Sequence, residues 1–251
     1  MTSRPSEATR LGEIVASDFR AAAIFDRYGL DYCCGGAHSL AEGCSQRGVS
    51  VARVLSDLEA IEPDSRESAT DDDPVALVDY ILSHHHAYVR RSLPLIQEHL
   101  AKVVAAHCER HGELQFIDTQ FSKIARALSL HMVKEEQVLF PYIRALADAV
   151  RSDGPPPPDM FGTVQNPIRM MEIEHQEAGD DVAAVRELSH DYQPPPDACA
   201  TYRLVLEELL DFERDLHRHV HLENNVLFPK AVELESKVDL MTRGLQSHRW
   251  E

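Results

Sequence analysis

From about residue 74 onward, apolar side chains recur alternately three and four positions apart. That spacing lines one face of a helix. Sustained two-residue alternation is absent, as is any Asn-Gly hairpin turn, so the pattern predicts an all-α fold. Two polar, proline-rich breakers interrupt the pattern: RSDGPPPPDMFGTVQN at 151–166 and SHDYQPPPD at 189–197. They leave four long helices, roughly 75–108, 113–149, 167–188 and 198–235. Asp73-Pro74 and Asn166-Pro167 read as N-caps followed by proline in the first turn, where a missing N–H costs nothing. Four amphipathic helices with polar connections predict a four-helix bundle.

Shorter pieces precede the bundle. Gly12 to Tyr28 reads as one helix ending near Gly29. Ser39-Leu40-Ala41-Glu42 reads as a capping box opening a second, and Ser50 caps a third that runs to Ile61. Residues 62–73, EPDSRESATDDD, carry six acids and no large apolar side chain, the composition of a solvated linker. The expected layout is a small helical domain over 1–61, the linker over 62–73, the bundle over 74–235 and a tail over 236–251.

The buried stripe of each long helix contains a surprise. In the second it reads Phe121, Ile124, Leu128, His131, Glu135, Val138, Tyr142. In the fourth it reads Val205, Leu209, Phe212, Leu216, His219, Glu223, Val226. The third reads Ile168, Met171, His175, Ala178, Val182, Val185. In the first, Leu82, Val89, Leu93, Ile96 and Leu100 mark the stripe and SHHH (83–86) crosses it; His86 fits best, with His85 one step away. The second and fourth helices repeat a phrase, HMVKEEQVLFP (131–141) and HVHLENNVLFP (219–229). Four helices thus each send a His into the core, and two also send a Glu. A buried carboxylate without a counter-charge costs several kcal/mol, and no Lys or Arg lies within these stripes. A bound metal removes the difficulty. Six such donors crowd one ion but suit two, each with two His and both Glu as bridges. Imidazole and carboxylate suit iron, zinc or manganese. Two divalent ions against two carboxylates leave charge for an oxo or hydroxo bridge, and a redox-capable pair favours iron.

Bulk properties narrow the setting. With 25 basic against 42 acidic side chains the net charge is −17, which disfavours nucleic acid and anionic membranes as partners. No apolar run approaches the ~20 residues of a membrane span, and MTSRPSEATRLGE lacks a secretory apolar core, so the expected location is the cytoplasm. Five cysteines at irregular spacing (Cys33, Cys34, Cys44, Cys108, Cys199) read as thiols.

The H-x-x-x-E modules, the lone His of MEIEHQEAG (171–179) and the helix layout resemble hemerythrin-like domains. More narrowly, DYCCGG (31–36) followed by HHAYVRRSLP, HMVKEEQVLFP, EHQEAG and HLENNVLFP resembles the RIC family. These are iron–sulfur cluster repair proteins, also called regulators of cell morphogenesis and nitric oxide signalling. The resemblance covers about residues 10–232; the departures are the proline-rich insert at 151–158 and the neighbouring His84, His85, His217 and His221. It implies a non-haem pair of irons in a cytoplasmic protein that restores clusters damaged by nitric oxide or oxidants. It also implies His86 rather than His85 as first ligand, His86 and His131 on one iron, His175 and His219 on the other, and Glu135 and Glu223 as bridges. Glu174, just before the third His, takes the place of a family residue that lines a route to the metals.

Cys33 and Cys34 are adjacent, a poor spacing for a structural disulfide. Beside Gly35-Gly36 they are expected on a flexible, approachable loop, as a thiol pair that receives or passes iron, electrons or nitrosyl groups. The plainer alternative is two small apolar residues filling a turn. Three functions share these features: cluster repair by iron donation, the favoured one; reduction of nitric oxide; and binding or sensing of oxygen or nitric oxide. The partners expected are damaged iron–sulfur proteins and one of those two gases, and the long apolar helices permit a homodimer.

Overall fold

The computed structural model describes residues 5–61, 73–158 and 160–247, so nearly all of the expected linker, 62–72, lies outside the described residues. Among the described residues there is no strand; one isolated bridge joins Arg10 and Ser39. No helix there is long and apolar enough to cross a membrane. Four short helices come first: α1 (Leu11–Ser17), α2 (Ala21–Tyr28), α3 (Leu40–Arg47) and α4 (Val51–Glu59). Four long ones come after them, three of which widen into a π turn. The fifth, α5, runs Pro74–Ile81, passes through a π turn at Leu82–His86 and continues over Ala87–His107. Next, α6 runs Glu113–Lys134, turns at Glu135–Leu139 and continues over Phe140–Ser152. The seventh helix, α7, is uninterrupted over Gln165–Leu188. Last, α8 runs Ala200–Leu222, turns at Glu223–Leu227 and continues over Phe228–Ser247, through much of the segment read as a tail.

The chain forms two compact units. One comprises Asp79–Pro141 and Asn166–His217, and so holds a long stretch of each of α5 to α8. Polar ties run around this bundle: His99 to Glu208 joins α5 and α8, Lys123 to Asp181 joins α6 and α7, and Arg186 to Glu213 joins α7 and α8. Inside the ring, Phe121 and Phe212 meet edge to face at 5.3 Å, among Leu93, Ile96, Leu100, Leu128 and Leu209, all buried. Burial of each such side chain stabilises the fold by roughly 1.5–3 kcal/mol.

The other unit comprises Met1–Val78, Tyr142–Gln165 and Arg218–Glu251. Its core gathers Leu11, Ile14, Phe25, Tyr32, Leu40 and Val54 from the N-terminal region with Val220, Leu227, Phe228 and Ala231 of α8. Helix α1 packs on the π turn of α8. Gly29, at φ 63, ends α2 in the left-handed conformation that glycine adopts without strain.

Four local expectations need correction. Gly12–Tyr28 is two helices, because Asp18 is extended and its carboxylate accepts the Arg20 backbone N–H at 3.0 Å. Ser39 makes the full capping box, whereas Ser50 stands at the N-cap of α4 with no capping bond from its side chain. Helix α7 starts at Gln165, placing Pro167 still within the first turn, where backbone N–H groups have no partner inside the helix. Finally, the π turns shift the buried stripes. An extra residue in the turn rotates the remainder of the helix by about 100°. In α6 the core therefore takes Leu139, Phe140 and Ile143, leaving Val138 and Tyr142 half-buried; in α5, Ile81 is buried and Leu82 only partly.

Candidate metal centre

In the bundle, Glu135 opens the π turn of α6 and is wholly buried, at 0% exposure. His131 sits one α-helical turn earlier on the same face, its Nε2 3.1 Å from Glu135 Oε1. From the end of the π turn of α5, His86 brings its Nε2 to 3.3 Å from Glu135 Oε2. One carboxylate thus faces a different imidazole with each oxygen. His175 on α7 points its Nε2 at that of His131, 3.0 Å away. The donor atoms of His131, Glu135 and His175 lie within 4.8 Å of one another. His131 therefore faces His175, so the expected sharing of one iron by His86 and His131 does not match this geometry. His86 lies across the carboxylate from that pair.

The outward nitrogens are held by carboxylates. His86 Nδ1 lies 2.6 Å from Glu136 Oε1, and Arg90 also donates to Glu136. His131 Nδ1 lies 2.9 Å from Glu174 Oε2, and Lys134 also donates to Glu174. Burial pushes both carboxyls up, but these bonds prevail and hold Glu136 and Glu174 below the usual carboxylate range. An ionised carboxylate only accepts, so each Nδ1 carries the hydrogen and each Nε2 presents its lone pair inward. Two imidazole nitrogens facing each other at 3.0 Å call for a proton or a cation between them. The donor set therefore fits a metal: neutral imidazoles with fixed tautomers around a buried carboxylate. Phe140, brought inward by the π turn, stacks on His86 with ring centroids 5.7 Å apart and shields that side from water.

In the other unit, His219 and Glu223 repeat the same module. His219 Nε2 lies 3.0 Å from Glu223 Oε1, and both are buried. Glu223 opens the π turn of α8 as Glu135 opens that of α6. The repeated phrase of the sequence is thus a repeated structure: His, an α turn, Glu, a π turn.

Sequence reasoning missed Glu136 because it reads as one more acid on a helix face. Burial of its neighbour His86 beside a basic Arg90 is the signal that finds it. His85 is buried as well and pairs with Asp215 at 2.9 Å. Glu174 contacts His131 and Lys134. The cysteine loop is less loose than expected: Cys33 is buried and Cys34 is half-buried, and no disulfide joins any of the five cysteines. The Cys33 carbonyl accepts from Asn225 Nδ2 at 3.0 Å and Asn224 Nδ2 at 3.4 Å, both on the π turn of α8. His221 reaches the Tyr32 carbonyl with Nδ1. Burial lowers the pKa of His221 to about 4, against the raising effect of that bond, so it is neutral in neutral solution.

Two family models match the chain: a domain of unknown function, DUF542, over residues 7–62, and the hemerythrin HHE cation binding domain over residues 77–231. The iron–sulfur cluster repair protein YtfE of Escherichia coli O157:H7 is 32% identical over 223 residues, covering 88% of this chain and 96% of the relative. YtfE of Salmonella schwarzengrund (strain CVM19633) is 33% identical over the same coverage. The chain belongs to the RIC family of iron–sulfur cluster repair proteins. Family membership accounts for the union of a cysteine-bearing helical region with a cation-binding helical bundle in one chain.

Proposed function

We propose that this family member holds two irons in its bundle and restores iron–sulfur clusters damaged by nitric oxide or oxidants, acting as an iron donor. The observation that carries the reading is Glu135, a fully buried carboxylate with an imidazole at each oxygen. His86, His131, Glu135 and His175 of the bundle would supply donors to iron, and His219 and Glu223 would supply those of the repeated module. When bound, the pair supplies redox-active, exchangeable iron with room for a small ligand. Glu136 and Glu174 lock His86 and His131 in the ligating tautomer, and Arg90 and Lys134 keep those carboxylates ionised. Phe140 keeps water from the ring of His86. Five cysteines without a disulfide suit a reducing compartment such as the cytoplasm.

Metal analysis with Mössbauer spectroscopy of the purified protein tests the centre. Two coupled irons per chain are expected; one zinc per chain overturns it. A repair assay on a cluster enzyme inactivated by nitric oxide tests the role. Glu135→Leu/Glu223→Leu is expected to abolish reactivation, and undiminished reactivation by that variant sinks the proposal.

A further inference from the structure

We propose that Asp31, Cys33 and Cys34 form a second metal site, a surface station that takes up one ferrous ion. It deepens the repair reading and rests on it only for the choice of ferrous ion. One carboxylate oxygen and the two sulfurs lie within 4.8 Å of one another. Asp31 is exposed, Cys34 half-buried and Cys33 buried, so the station is open on one side and backed by protein on the other.

The loop is built around the carboxylate. Asp31 Oδ1 accepts the backbone N–H of Cys33 at 3.2 Å and of Cys34 at 2.9 Å, and the Cys33 thiol at 3.3 Å. A Cβ at Gly35 would lie 2.8 Å from the Asp31 carbonyl oxygen and 3.1 Å from Oδ2, so only glycine lets the chain curl this closely. A Cβ at Gly36 would meet Asn225 Oδ1 at 2.2 Å. Asn224, Asn225 and His221 then clasp the Tyr32 and Cys33 carbonyls from α8. The donors are therefore positioned before any ion arrives, which lowers the ordering cost of binding.

The chemistry suits passage rather than storage. Adjacent residues have Cα atoms about 3.8 Å apart, closer than an unstrained disulfide takes, so the pair remains two thiols. Thiolate with carboxylate accepts a divalent transition metal. Three protein donors leave a position open, through which an incoming ligand can extract the ion. Uptake forms two S–Fe bonds and one O–Fe bond and releases two thiol protons to water. The site carries one negative charge before and after, and no electron moves. The same π turn of α8 supplies Glu223 and, one residue later, the first amide that clasps Cys33. A single turn of α8 thus carries both Glu223 and the station's anchor.

Cobalt(II) as a ferrous surrogate tests this. Anaerobic full-length protein, metal-loaded and with thiols reduced, is titrated while near-ultraviolet absorbance is recorded. One additional cobalt per chain is expected, with a sulfur-to-cobalt charge-transfer band. Cys33→Ser/Cys34→Ser is expected to lose the band. Asp31→Asn keeps an acceptor for the loop's N–H groups, so the loop stays folded. Its cobalt affinity is expected to fall at least the roughly tenfold that loss of even an outer partner costs. Glu135→Leu is expected to keep the band whatever it does to repair, so the two readings fail separately. No band in the wild type, a band surviving in the double serine variant, or unchanged affinity in Asp31→Asn overturns the station.

Discussion

Helix α7 and helix α6 each deliver a histidine to the same cluster, yet they are built differently. Helix α7 is regular from Gln165 to Leu188, and every position read from its spacing is buried: Ile168, Met171, His175, Ala178, Val182, Val185. Helix α6 breaks its ladder with a π turn where it must supply Glu135 as well as His131. The same holds in α5, where a π turn lets the consecutive His85 and His86 both be buried, and in α8 at Glu223. A straight helix carries a single donor within a continuous apolar stripe. Adding a second large polar donor displaces the stripe, and an extra residue brings apolar side chains back to the core below it. Widened turns of this kind are frequent at functional sites for that reason.

The largest break in the comparison comes from Glu135→Leu. Metal analysis is expected to show the iron lost, while the metal-free protein gains up to several kcal/mol, because a buried carboxylate without its metal counter-charge gives way to an apolar group. Urea melts with and without chelator read both signs; a metal-free protein weakened by the change contradicts the assignment. Next comes the register shift. Phe140→Ala is expected to cost about 3–5 kcal/mol, and Val138→Ala clearly less, although simple helical spacing from Glu135 ranks Val138 as the core position. Equal costs in thermal melts contradict the shift. Smaller again, Glu136→Gln and Glu174→Gln each leave the fold intact and are expected to lower metal affinity about 10–100-fold, measured by competition with a chelator. The least effect is expected on the solvent face of α7, where Met170→Ala and Ile173→Ala change stability by no more than about 0.5 kcal/mol. A larger cost there means that face is covered by something.

This contrast also explains how much of the molecule is legible in its sequence. The four long helices, their breakers and the stripe of α7 are legible because regular spacing reports burial directly. The buried His and Glu stand out because they interrupt that spacing with groups that are costly to bury. The π turns are not legible, since one extra residue in a hydrogen-bond ladder leaves no mark in composition. Their trace is ambiguity: SHHH offers two candidates for one place. Glu136 stays hidden because an ion pair with Arg90 looks the same in sequence whether or not a histidine lies beneath it. The split between α1 and α2 turns on one aspartate, Asp18, whose carboxylate finds a local backbone partner.

The clasp of Asn225 on the Tyr32 carbonyl spans 193 positions of chain. At translation rates of about 5–20 residues per second, the cysteine loop waits roughly 10–40 seconds on the ribosome before its anchor is even made. During that interval Gly12 and Gly36, which shape the space for the Asn225 side chain, have nothing to close upon. The two thiols are thus most exposed in the newborn chain and become housed only when the last helix arrives. Synthesis of α8 past Asn225 sets the moment at which the loop can acquire its clasp, so a chain truncated before Asn225 carries the cysteines without it.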